Sequence, residues 1–402
     1  MTRGSWPAAV AAIFVCAWGG NQFTPLLVMY RDAGWSTLTV NALLGAYVFG
    51  LVPGLLLSGG LAARFGRRPV AVAGVLASFV ASLLLAAGVY GVEWIAAGRL
   101  VTGFGVAVAM AVGTTWVTEL SARAGDAAAT GARRAALWMT IGFGLGAGVA
   151  GVLAQWGPAP MVLPYLVHAL LAAAVLPVLF RVPETHPAGS RAVGLRTGFS
   201  GLRHPRFRRV VAPMAPWIFG SAAVAYAIMP QLIADRVGQW GLIYSTTITV
   251  ATLTVGVLVQ PLAKRLDRTT SARAAVVSMS LVPAGLAVSV LAAIVRSPAL
   301  GLVAALALGC AYGIVLVSGL LELQRLAAPG ELAALTGAYY ALAYLGFLLP
   351  SLLSLLSAVA GYPVLLGGLV LLALSGTVVI VRHSRSHLPV PRAPEKELVP
   401  AA

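Results

Sequence analysis

Charged residues are scarce in this chain. Asp, Glu, Lys and Arg make up 9% of its 402 residues, against about 25% in soluble globular proteins. So few charges cannot coat a soluble surface, and the deficit runs the whole length rather than marking one segment. Acids are the scarcest, 11 against 27 basic residues. Cysteine is nearly absent too. Cys16 and Cys310 both lie inside apolar runs, so they offer no disulfide framework and read as small packing residues. There are five histidines, four of them in loops or the tail, and neither an H-E-x-x-H pattern nor a Cys/His cluster. An intramembrane metalloenzyme would therefore lack its ligands. The glycine-rich stretches follow no strand, which removes dinucleotide binding as well. We expect no enzyme, no metal and no cofactor beyond an ion gradient.

What is present is apolar. Hydrophobic residues make up 59% of the chain, and the mean hydropathy is +0.92. A bilayer core of about 30 Å takes about 20 helical residues to cross. That window predicts twelve spans, at 7–30, 38–60, 70–92, 94–118, 134–156, 161–181, 210–234, 240–263, 273–294, 298–321, 333–357 and 362–381. The runs are continuously apolar instead of alternating, which selects helices over a β-barrel, because lipid-exposed backbone must satisfy its own hydrogen bonds. The first run follows Arg3, as a signal peptide would, but continues to Met29 without a cleavage site and reads as a retained helix. The expected fold class is an all-α membrane protein.

A net charge of +16 would suggest nucleic acid as a partner of a soluble protein. Here the basic residues fall in the breaks between apolar runs, without interleaved aromatics, so no nucleic-acid partner is expected. Sorted by side, all of them but Arg31, Arg99, Arg236 and Arg296 share the side of the termini. This bias predicts a multi-pass protein of the plasma membrane with both termini cytoplasmic, and an odd number of spans would scramble it. The longest break is rich in Pro, His and Arg and divides the spans six and six. The expected organisation is an N-terminal bundle (1–181), a cytoplasmic linker (182–209), a C-terminal bundle (210–382) and a disordered tail (383–402).

The two halves repeat. At an offset of about 205, Pro25, Leu27, Arg31 and Trp35 recur as Pro230, Leu232, Arg236 and Trp240. Near 201, Leu61, Ala62, Arg64 and Arg67 recur as Leu262, Ala263, Arg265 and Arg268, and near 203 Glu119 recurs as Glu322. Each match falls at the equivalent end of an equivalent span. Paired parallel six-helix halves are a transporter design, with substrate bound near the midplane between them.

Residues 59–68 read GGLAARFGRR. Through Gly59, Leu61, Ala62, Arg64, Gly66, Arg67 and Arg68 they resemble the loop between spans 2 and 3 of the major facilitator superfamily, G-x-L-A-D-R-x-G-R-R, with Ala63 where that pattern has Asp. The cluster reads either as a plain positive-inside anchor or as a gating latch, with Glu119 at the end of span 4 as the acid an arginine would meet. Arg99, Gly103 and Gly105 resemble R-x-x-x-G-x-G, a motif of that superfamily's proton-linked antiporters. Gly142, Gly146 and Gly151 resemble part of a second antiporter motif in span 5, with Ala147 at its proline. Glycines four apart equally suit close helix packing.

The resemblance implies a central cavity lined by spans 1, 4, 7 and 10. It nominates Asn21, Gln22, Arg99, Trp116, Trp217, Tyr226 and Tyr312. The two amides read as ligand contacts or interhelical bonds. The two tryptophans read as cavity walls or interfacial anchors. Arg99 either faces a wet cavity or snorkels to the outer surface. No acid lies mid-span in these four helices, which favours neutral or anionic substrates. A coupled proton needs a titrating group, and His168 and Glu322 are the candidates for a relay, His168 also reading as a packed side chain.

The leading expectation is a secondary transporter of drug-like or metabolite substrates by alternating access, as a proton-coupled efflux antiporter. The alternatives are an uptake symporter for a small neutral or anionic metabolite and a non-transporting protein of the same fold. The partners expected are the substrate and the lipid bilayer, with the chain a monomer.

Overall fold

The computed structural model describes residues 5–186, 200–327 and 331–388. Residues 187–199 of the expected linker and 389–402 of the expected tail lie outside the described residues. Twelve helices run through the rest: α1 (Trp6–Asp32), α2 (Thr37–Phe65), α3 (Arg67–Tyr90), α4 (Val92–Arg123), α5 (Ala128–Trp156), α6 (Leu163–Leu179), α7 (207–237), α8 (241–266), α9 (Arg273–Val295), α10 (Pro298–Leu326), α11 (332–356) and α12 (Tyr362–His383). Among the described residues, ten stretches are long and apolar enough to cross a bilayer. One of these, Phe207–Leu266, is two crossings, broken where Gly238 takes φ +49 and the tight turn Gly238–Trp240 follows. The short α6 has 17 residues, or about 26 Å, and completes the twelve. Helices 2, 4, 5 and 10 outrun the expected spans because their polar ends stay helical beyond the apolar window.

Local chemistry sets the ends. Ser36 accepts a hydrogen bond from the Thr39 amide at the start of α2, and Ser297 accepts one from Leu300 at the start of α10. Gly66, at φ +95, makes the turn from α2 into α3, a conformation that favours glycine.

The helix contacts expose the repeat. In the first half α1 packs on α5, α2 and α3 on α4, and α3 on α6; in the second α7 packs on α11, α8 and α9 on α10, and α9 on α12. Adding six to each helix number maps one set onto the other. Between the halves α2 meets α11 and α5 meets α8, which the same operation exchanges. The repeat-related prolines also act alike. Regular α-geometry fails around Pro25, in the 3₁₀ turn Thr24–Leu26, and just before Pro230, in the wide turn Val224–Ile228.

Close approach within each half depends on glycine. A Cβ on Gly103 of α4 would strike the Tyr47 carbonyl of α2, and one on Gly313 of α10 would strike the Gly256 carbonyl of α8. In α5, a Cβ on Gly142 or Gly146 would meet backbone of Phe14 or Trp18 in α1, and one on Gly151 would meet Thr246 of α8. The span 5 glycines are thus packing surfaces toward two neighbours.

Candidate functional site

Between the halves lies a cavity of about 270 Å³. Its lining comes from Asn21 and Thr24 of α1, Tyr47 of α2, Arg99 and Met110 of α4, Phe143 of α5, Phe219 and Tyr226 of α7, Gln260 of α8, Tyr312 of α10, and Tyr344 and Phe347 of α11, among others. From mid-helix positions the lining continues through Ala136 and Met139 of α5, Gln260 of α8, Leu320 of α10 and Tyr340 of α11, on the halves of those helices nearest the side of the termini, so the cavity reaches from mid-bundle toward the arginine-rich end.

The other end is tied shut. Asn41 of α2 donates through Nδ2 to Ser354 of α11 at 2.7 Å and Gln231 of α7 at 3.2 Å, and Gln231 donates to the Tyr362 hydroxyl at 2.8 Å. Arg31 donates to the Ala227 carbonyl, and Gln155 bonds to Ile243 and Gln239. All of these except the Gln231–Tyr362 bond cross between halves.

Arg99 dominates the cavity electrostatically. It is 1% exposed, so it does not snorkel. Burying a charge inside the apolar span, two turns into α4, is costly, and the cost reaches about 2.5–3.5 kcal/mol at a helix centre on insertion scales. Part of that is offset by bonds from Nε to the Leu43 carbonyl and from Nη2 to the Leu44 carbonyl, each 3.2 Å, and by the faces of Phe23 and Tyr47 at 4.7 and 4.8 Å. Its Nη1 has no partner. No Asp, Glu or His is among the described residues lining the cavity. A buried cation with a free N–H fork is a receptor for a carboxylate.

Aromatic rings form the walls. Phe219 stacks on Tyr344 at 4.2 Å and on Phe347 at 5.0 Å, and Tyr47 meets Phe347 edge-on at 6.0 Å. Asn21 is held by its bonds to the Phe143 carbonyl at 3.1 Å and from Thr24 at 2.7 Å. Gln260 carries a polar amide toward the open end.

Three nominated residues lie elsewhere. Gln22 turns away to α3, donating to Ser82 at 2.9 Å. Trp116 is fully buried near the arginine-rich end, where its Nε1 donates to the Pro183 carbonyl at 3.3 Å. Trp217 lines a lateral apolar groove with Leu349 of α11 and Leu372 of α12. The relay pair is also separated. His168 packs between α1 and α3, with Nε2 donating to the Val15 carbonyl at 2.9 Å and Nδ1 bonded to Ser82 at 2.6 Å. Glu322, at the far end of α10, is bonded to Arg206 at 2.6 and 2.9 Å. Sequence reasoning missed Tyr47, Phe219, Gln260, Tyr344 and Phe347. The one available signal was Tyr340, Tyr344 and Phe347, spaced on one helical face.

The 59–68 loop builds a strap at the arginine-rich end. Gly59, Leu61 and Arg64 belong to the last turns of α2, and Arg64 lies over the Phe65 ring. Arg67 pairs with Glu119 at 3.3 Å, and Arg68 donates to the carbonyls of Phe180 and Val182. Residues 182–186, expected as solvated linker, dock here instead. The Thr185 hydroxyl bonds to Glu119, Arg123 donates to the Glu184 and Thr185 carbonyls, and the Glu184 carboxylate caps the start of α3, accepting from the amides of Arg67 at 2.8 Å and Arg68 at 2.9 Å. The second half mirrors this after α12. Ser384, expected in a disordered tail, accepts from Ala272 at the start of α9, and Arg206 donates to the Ser384 and Ser386 carbonyls.

Partial burial pushes the Glu184 carboxyl up, but amides of His186, Arg68, Arg67 and Thr185 outweigh it and hold the group below the usual carboxylate range. A lowered folded value stabilises above the ordinary carboxylate pKa and is lost as pH falls through about 4 and below. Thermal unfolding of Glu184→Gln against pH should therefore show a flatter acid limb than the parent. Identical limbs would remove Glu184 from the strap's stability.

A helical bundle of two repeats, sealed at one end around a midplane cavity, defines a membrane transport protein. The sequence profile of the Major Facilitator Superfamily matches residues 9–351, and the chain belongs to that family. It is 31% identical over 235 residues to the 4-hydroxybenzoate transporter PcaK of Pseudomonas aeruginosa, a match covering 56% of this chain and 47% of that protein. The match thus spans about half the length of that relative. Among solved structures, the nucleoside transporter NupG superposes with a TM-score of 0.72 at 14% identity, covering 94% of this chain and 99% of that one. A D-xylose-proton symporter gives 0.71 at 14%, covering 96% and 97%. At such identities the likeness is one of fold.

Proposed function

We propose that the protein carries small aromatic carboxylates across the membrane by alternating access, the carboxylate on Arg99 and the ring among Tyr47, Phe219, Tyr344 and Phe347. The observation that carries this reading is Arg99, which lines the cavity while its buried Nη1 has no partner. The name of the 4-hydroxybenzoate-transporting relative fits the same chemistry. Cationic drugs fit poorly, since they would meet an uncompensated positive charge. Efflux rested on the antiporter-like motifs of spans 4 and 5, and the contacts of Gly103 with α2, Gly105 with α3, and Gly142, Gly146 and Gly151 with α1 and α8 account for those glycines without an export role. We therefore assign a reversible carrier whose direction follows the gradients. By the positive-inside bias the arginine-rich end and both termini belong in the cytoplasm, which makes the cavity inward-facing, and one chain completes it.

Counterflow tests the substrate class. Vesicles holding the purified protein and loaded with unlabelled 4-hydroxybenzoate should transiently accumulate the labelled compound. Benzoate-like anions should compete, whereas the corresponding amides and aromatic amines should not. Counterflow supported only by neutral or cationic compounds would overturn the assignment.

A further inference from the structure

The charge balance of the cavity determines how the cycle responds to voltage. Arg99 stays protonated at any physiological pH. The other ionisable groups lining the cavity, among the described residues, are the phenols of Tyr47, Tyr226, Tyr312, Tyr340 and Tyr344, from α2, α7, α10 and α11. The acids of the described residues lie elsewhere: Glu119 and Glu184 in the strap, Asp126 on Arg134, Glu322 and Asp267 with Arg206 and Arg325, Asp235 on Arg296, and Asp32, Glu93 and Glu331 outside the cavity lining. His168 has both ring nitrogens engaged outside the cavity.

Resting on the aromatic-carboxylate reading above, we infer that each turnover moves one net negative charge. The loaded cavity is a neutral Arg99–carboxylate pair, while the empty cavity keeps the single positive charge of Arg99. Return of the empty carrier is then the voltage-sensitive step, and the loaded carrier reorients without moving charge. A potential negative at the arginine-rich side favours the empty cavity facing that side. The anion takes no proton from a side chain, because the phenols around Arg99 are the groups in reach and they keep their protons near neutral pH.

The experiment uses purified protein in vesicles with 4-hydroxybenzoate, a potassium gradient with valinomycin to set the potential, and separately a pH gradient at zero potential. Both sides stay well above the pKa of the substrate's carboxyl group, and protein-free vesicles report leak. Net movement should follow the potential, reaching an equilibrium ratio of roughly 50-fold for a single charge at about 100 mV. It should ignore the pH gradient, and one-for-one exchange at saturating substrate should ignore both. Exchange accompanied by net movement that follows pH and not potential would overturn the charge inference while leaving the substrate reading intact. Absence of exchange would overturn both.

Discussion

Arg99→Gln is expected to weaken binding of 4-hydroxybenzoate by roughly 30-fold to several thousand-fold, the range for removing one partner of a buried charge pair, about 2–5 kcal/mol. Glutamine reaches less far and brings no charge, so the carboxylate would enter a cavity with nothing to balance it. The amide of the same acid should bind the parent and the variant about equally, because it never uses the charge. Arg99→Lys should fall between. A lysine restores the charge but cannot hold the two α2 carbonyls and present a second N–H fork at once. Titration calorimetry on protein whose thermal unfolding is unchanged measures this. Equal losses for acid and amide would show that the variant had only deformed the cavity.

Arg206→Ala is expected to be the most destabilising single charge removal in the chain, by about 3–5 kcal/mol. The Arg206 and Glu322 side chains are 1% and 3% exposed. Without Arg206, the buried carboxylate keeps only Arg325 at 3.5 Å, and that arginine is already committed to Asp267. The Ser386 carbonyl would also lose its donor, and the Ser384 carbonyl would keep only the Ala272 amide. Replacing both partners, Arg206→Met with Glu322→Leu, should cost far less, since no charge is stranded. The pair at Glu119, the repeat counterpart of Glu322, supplies the contrast. Arg67 and Glu119 are 18% and 31% exposed, and Arg67→Ala should cost under about 1 kcal/mol for that pair. Thermal unfolding of the four proteins in one detergent orders them. A smaller loss for Arg206→Ala than for Arg67→Ala would contradict the assignment of the buried pair.

Hydropathy and charge made the twelve helices legible, because crossing a bilayer constrains length and composition directly. The repeat was legible at Pro25 and Pro230, where the backbone has the same reason to depart from helix in both halves. The cavity was legible only in part. A span that is apolar all round does not reveal which face meets lipid, a neighbouring helix or the cavity, so Trp116 and Trp217 were indistinguishable from Tyr226 and Tyr312 by composition. Tyr47, Phe219 and Phe347 converge on Arg99 through packing between helices far apart in sequence. The strap was hidden for another reason. Residues 182–186 read as linker because they are few and end in Glu184, Thr185 and His186, yet Val182 is buried in the core and the rest are held by backbone carbonyls, backbone amides and the Glu184 carboxylate.

The most direct test of the Arg99 assignment is a structure with 4-hydroxybenzoate bound. The account predicts a carboxylate oxygen within hydrogen-bond reach of Arg99 Nη1 and the ring between Tyr47 and the Phe219, Tyr344 and Phe347 cluster. A ligand seated elsewhere in the cavity, with Arg99 still touching only Leu43, Leu44 and its two aromatic neighbours, would contradict it.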